Sequence, residues 1–342
     1  MIRALVTAAL GALILAGCGN AGPSNQIQIV GSSTVYPFTT AVAERFAQMH
    51  PRFQSPIVES TGTGAGLKLF CNGVGNSYPD MANASRRIKA GEMDSCRKNG
   101  VQRVIEIPVG IDGLVLIEAR GGPAMKLTLA DVYKALAATP FGRPQTARTW
   151  RDVNPALPDI AIQLYGPPPT SGTRDSFAEL ILEKGCDTDP AMKALKERDS
   201  DRHKQICTKI REDGPFIEAG ENDNLLVQKV SGNPGALGVL GFSFLEENLD
   251  RVKAVAINGV DPSVETISGL AYPGARQIYL YAKGEHIGVV PGMKEFLAEY
   301  SRAWDPGDYL ALRGLIPSPP QVRAAATRAA TGLLPLDPDT LK

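Results

Sequence analysis

The stretch Glu59-Ser60-Thr61-Gly62-Thr63-Gly64-Ala65-Gly66-Leu67-Lys68-Leu69-Phe70 constrains the fold more than any other part of the chain. An apolar extended run, residues 55–58, leads into a loop of hydroxyls and glycines, and a helical pattern opens near Leu67. Glycine lets successive backbone N–H groups converge, hydroxyls add rotatable donors, and a helix start offers unpaired N–H groups with partial positive charge. Such a unit can bind an oxyanion, or its small polar residues can simply cap the helix. The unit recurs at 27–36, where Ile27 to Val30 enters Gly31-Ser32-Ser33-Thr34-Val35-Tyr36. It recurs again at 160–173, where an apolar run enters Gly166-Pro167-Pro168-Pro169-Thr170-Ser171-Gly172-Thr173. Three of them in one chain favour a tetrahedral anion gripped from several sides. The glycine spacing is G-x-G-x-G with no Gly-Lys-Ser/Thr ending, which excludes both the dinucleotide fingerprint and the P-loop.

With 342 residues the chain can bury one large core or two medium ones. Its 36 basic residues balance 36 acidic ones, so nucleic acid is not an expected partner. Strands alternate with helices over the first hundred residues, which predicts a doubly wound α/β sheet with all three loops at the carboxyl ends of strands.

Residues 1–17 read as a signal peptide: Arg3, an apolar run too short to span a membrane, then Leu15-Ala16-Gly17-Cys18. This resembles the bacterial lipoprotein signal and implies lipid on Cys18 and a tether over 18–26, with an ordinary secretory signal as the alternative. Either way the protein is exported, to the periplasm or the outer cell surface. Four further cysteines, Cys71, Cys96, Cys186 and Cys207, form an even set in an oxidising compartment and allow three pairings. Cys71–Cys96 and Cys186–Cys207 are favoured because each closes a local loop. His50, His203 and His286 stand apart in sequence, so no metal is expected.

The ordered motifs Gly31-Ser32-Ser33-Thr34-Val35-Tyr36-Pro37, Thr61-Gly62-Thr63-Gly64-Ala65-Gly66, Ala82-Asn83-Ala84-Ser85-Arg86, Gly110-Ile111-Asp112-Gly113, Ser171-Gly172-Thr173 and Asn233-Pro234-Gly235-Ala236-Leu237-Gly238 together resemble the phosphate-binding proteins of phosphate ABC transporters. They span nearly the whole mature chain. The resemblance implies a type II periplasmic-binding-protein fold, with two α/β lobes joined by a two-strand hinge. Lobe 1 would be discontinuous, 27–113 and 271–342, and lobe 2 would cover 114–270. A phosphate would sit between the lobes, and a monomer would deliver it to a membrane permease with no cofactor and no catalysis.

On this pattern the expected phosphate ligands are Ser33, Thr34, Val35, Tyr36, Thr63, Gly64, Ser85, Ser171, Gly172 and Thr173. Members of the family carry Asp after the serine, where this chain has Arg86, and Arg upstream of the Ser-Gly-Thr loop, where it has prolines 167–169. The positive charge is therefore expected on Arg86, with Arg174 second. The acceptor for the phosphate proton is expected at Asp112, with Glu59 second. Rival functions are a receptor for sulfate or molybdate, an exported phosphatase-like hydrolase, and a sensor or adhesin that kept the fold. A hydrolase would need a nucleophile beside a base, or a metal cluster, and no such pattern is visible.

Overall fold

The computed structural model describes residues 25–220 and 222–341. The signal peptide, Cys18 and most of the tether lie outside the described residues. Among the described residues no helix is long and apolar enough to cross a membrane.

Three strands, β1 (Gln28–Gly31), β2 (Ile57–Ser60) and β3 (Met81–Ala84), lie parallel with β1 in the middle. Helices α1 (Tyr36–Met49) and α2 (Thr63–Phe70) follow the first two of them, and α3 (Ala90–Lys98) comes after β3. Pro37 lies in the first turn of α1, where the missing N–H costs nothing. The second helix starts at Thr63, four residues before the expected Leu67. Its N-cap Gly62 takes φ 80°, and Gly66 lets the helix approach β1 so closely that a Cβ there would lie 2.4 Å from the Cα of Gly31.

Residues Val104–Ala119 form one long strand, β4, buried along most of its length. Its run of apolar residues, with no polar alternation, is what a strand covered on both faces requires. It joins two halves of a nine-stranded sheet. Residues 104–113 pair antiparallel with strand Ala275–Lys283, which also borders β3. Residues 114–119 pair with Leu237–Gly241 and Val252–Ala254, and Leu164–Gly166 and Phe216–Glu218 complete that half. The chain thus crosses from one half to the other on β4 and returns on Ala275–Lys283. At the crossing Asp112 faces Arg276 and Gly113 faces Ala275.

Separate cores flank the two halves. One gathers Trp150, Tyr133, Phe177 and the far end of β4. Another packs Phe46 of α1 against Phe296, Tyr300 and Trp304, and a smaller one surrounds Leu67 and Phe70. Both local disulfides are present, Cys71–Cys96 between the ends of α2 and α3, and Cys186–Cys207 in the other half. Cys186, His203 and Cys207 approach one another, but the sulfurs are spent in the disulfide and His203 Nε2 lies 2.7 Å from Asp187.

Candidate functional site

The three hydroxyl loops come together where the chain crosses between halves. The first loop meets the third. A Cβ on Gly172 would lie 2.8 Å from the Cα of Thr34, so only glycine permits this approach of the two helix starts. Thr34 Oγ1 lies 3.3 Å from the carbonyl oxygen of Gly172 and 3.3 Å from Ser176 Oγ, and Ser33 Oγ donates to Asp175 Oδ2. Val35 is the N-cap of α1 with its side chain buried, while Tyr36 starts the helix with a partly exposed ring.

The second loop contributes through Thr63, whose Oγ1 accepts from Ser85 N at 3.0 Å and lies 2.8 Å from Ser85 Oγ. Both side chains are buried. Gly64 faces a groove between α2 and α3, with Lys68, Asn72 and Ser95. In the third loop Ser171 caps the helix by accepting from Thr173 N at 3.2 Å. That helix begins at Gly172, widens into a π turn over Ala178–Glu183 and ends at Cys186.

The positive charge in this cluster is Arg276, on the first residues of the returning strand. Its Nη2 donates to Thr34 Oγ1 (2.9 Å) and Ser176 Oγ (2.6 Å), its Nε to Asp112 Oδ2 (3.0 Å), and its Nη1 to Glu179 Oε2 (2.5 Å). Asp112 also accepts from Ser176 Oγ at 2.9 Å. Arg276 is 9% exposed and touches groups from both halves. Such charge-assisted bonds are short and strong, and the planar fork fixes direction as well as charge.

The two arginines expected from sequence are engaged locally. Arg86 forms a two-pronged pair with Glu92, Nη1–Oε2 at 2.9 Å and Nη2–Oε1 at 2.7 Å, and also donates to the carbonyl of Arg87. Its hydrogen bonds to Glu92 raise the Arg86 pKa above its ordinary value. Arg174 donates to the carbonyl of Pro167, lies 4.1 Å over the ring of Phe216, and has its pKa lowered by burial. Glu59 is exposed on strand β2 in a small groove with Gln28 and Ile57.

Arg276, Ser176, Asp175 and Glu179 escape a reading by motif. One signal was available: Asp112 and Arg276 are opposite charges, each on a mostly apolar strand, and opposite charges facing each other across paired strands attract.

The family described as PBP superfamily domain matches residues 19–302. Protein SphX of Synechococcus elongatus is 35% identical over 307 residues, covering 87% of this chain and 79% of that protein. Phosphate-binding protein PstS of Staphylococcus saprophyticus is 28% identical over 309 residues, covering 85% and 82%. A solved structure of a possible phosphate-binding protein from Planctomyces limnophilus superposes with a TM-score of 0.72 at 28% identity, covering 92% of this chain and all of that one. A family match over most of the length, together with a relative of this identity, leads to one conclusion: the chain belongs to the PBP superfamily.

Proposed function

We propose that this chain is the substrate-binding component of a phosphate ABC transporter, taking up inorganic phosphate where the two halves meet and delivering it to a membrane permease. The observation that carries the reading is Arg276, a buried guanidinium that reaches a hydroxyl from each half, beside the carboxylates of Asp112 and Glu179, at the convergence of two helix starts. A guanidinium with neutral N–H and O–H donors suits a tetrahedral oxyanion. Relatives named for phosphate binding support the choice of anion.

In this reading lobe 1 is 27–113 with 271–342, lobe 2 is 114–270, and β4 with Ala275–Lys283 is the hinge. Cys18 carries lipid that tethers the exported protein to a membrane. Ser33, Thr34, Thr63, Ser85, Ser171, Gly172 and Thr173 supply donors to the anion, and Arg276 supplies the charge. Asp112 accepts the phosphate proton. It is held by Ser176 and Arg276, so it is fixed beside the anion. Sulfate has no proton to offer at neutral pH and meets the carboxylate as a repulsive neighbour. A site built around such a bond can reject an analogue lacking it by as much as roughly 10⁴-fold.

The role is binding without turnover. The three histidines are engaged elsewhere: His50 against Phe46 and Phe53, His203 on Asp187, and His286 on Asp80. A calorimetric panel of phosphate, arsenate, sulfate and molybdate on the mature protein tests the proposal, with a phosphomonoester turnover assay alongside. Binding of phosphate and arsenate well above sulfate, with no hydrolysis, is expected. Equal binding of sulfate would remove the acceptor, and turnover would make the protein a hydrolase.

A further inference from the structure

We infer that Glu179 is a displaceable internal stand-in for the bound anion, competing for Arg276 and so setting the affinity of the cleft. The inference rests on the proposal that the cleft binds phosphate. Glu179 Oε2 accepts from Arg276 Nη1 at 2.5 Å and lies 3.4 Å from Ser85 Oγ, which donates to it. Arg276 stands on the strand Ala275–Lys283 and Ser85 directly follows β3, and both are donors of the kind a phosphate oxygen would use. One turn earlier on the same helix, Asp175 does the same to Ser33. Two lobe 2 carboxylates thus sit on the hydroxyls that lobe 1 offers.

The local backbone supports this placement. Glu179 lies at the start of the π turn Ala178–Glu183. Such turns are uncommon, occur frequently at functional sites, and re-aim the side chains around them.

Displacement, not co-binding, follows from exposure and charge. The Glu179 side chain is 44% exposed, against 19% for Asp112, so Glu179 can swing into solvent while Asp112 stays fixed by its two bonds. An ion pair with one exposed partner is weak, and a phosphate with several acceptor oxygens can outbid it. If Glu179 stayed in place, its charge would face the anion across a hydrogen-bond distance in a partly buried site. One phosphate proton can satisfy one acceptor, and Asp112 is that acceptor. The same carboxylate also bridges the halves, since Ser85 belongs to one and Glu179 to the other.

Glu179→Gln keeps the shape and removes the charge. Titration of the mature protein with inorganic phosphate should then give a Kd about two- to five-fold lower than wild type, the span that a partly exposed ion pair accounts for. Arsenate should show the same factor, because the competition does not depend on the anion. Small-angle scattering of phosphate-stripped protein should show Glu179→Gln more open than wild type, and both equally compact after phosphate is added. Weaker phosphate binding by Glu179→Gln would make Glu179 a direct partner of the anion and overturn the inference. An unchanged Kd would overturn it too, as would identical scattering of the two stripped proteins. If wild type bound no tetrahedral anion, the phosphate proposal alone would fall, and the scattering comparison would still decide whether Glu179 bridges the halves.

Discussion

Arg86 and Arg276 carry the same chemical group within reach of the same loops, yet the fold uses them differently. Arg86 follows Ser85 directly, and its fork is filled by Glu92, six residues away in its own half. Arg276 is 164 residues from Asp112 and 242 from Thr34, and it joins groups from both halves. The difference shows what makes a charge available to a ligand placed between two lobes. Adjacency to a motif is not enough; the side chain must be anchored at the crossing itself. There a single group touches both halves of the sheet.

The comparison breaks most easily at Arg276. Arg276→Ala should weaken phosphate binding by about 2–5 kcal/mol, the range for removing one partner of a buried charge pair. Arg276→Lys should recover only part, because an ammonium cannot form the fork. Calorimetry decides, and a loss under tenfold in Arg276→Ala would remove this residue from the centre of the account.

The disulfides sharpen the contrast, since like Arg86 they are local. Their sequence separations of 25 and 21 residues predict about 3 kcal/mol of stability each on the chain-entropy model. Replacing Cys71 and Cys96 together by Ser, or Cys186 and Cys207, should lower the denaturant midpoint with little change in phosphate Kd. A large loss of affinity at unchanged stability would show that these staples shape the cleft.

Asp112 comes next. It shares the crossing with Arg276, so Asp112→Asn should cost about 1.5–3 kcal/mol in phosphate affinity, the usual range for a hydrogen bond involving a charged group. Sulfate affinity should stay equal or improve. An unchanged phosphate-to-sulfate ratio would move the acceptor elsewhere. The smallest effect belongs to Arg86. Its pair with Glu92 is only partly buried, with side chains 36% and 25% exposed. Arg86→Ala should therefore cost at most about 1 kcal/mol in stability and a similar amount in phosphate binding.

Much of the architecture was legible because it rests on local patterns. The loops at 31–36, 61–66 and 166–173 announce themselves by glycine and hydroxyl content, and the apolar run of β4 by its lack of alternation. Cysteine parity and short separations suggested the disulfides. The misplaced start of α2 has a tertiary cause. Glycines 64 and 66 lower helix propensity, yet contact with Gly31 requires a residue without a side chain at 66. Arg276 was hidden for a similar reason. Its role depends on the register between two strands far apart in sequence, and on a helix that brings Ser176 and Glu179 to the same point. Neither register nor helix docking is written in a local motif, whereas Arg86 stands inside one.

The most direct test is a crystal structure of the protein grown with inorganic phosphate. The account predicts a phosphate with oxygens about 2.7–2.9 Å from the Arg276 guanidinium, among the hydroxyls of Thr34 and Ser85, with Glu179 turned into solvent and Arg86 still paired with Glu92. A phosphate held by Arg86, with Arg276 still bonded to Asp112 and Glu179, would contradict it.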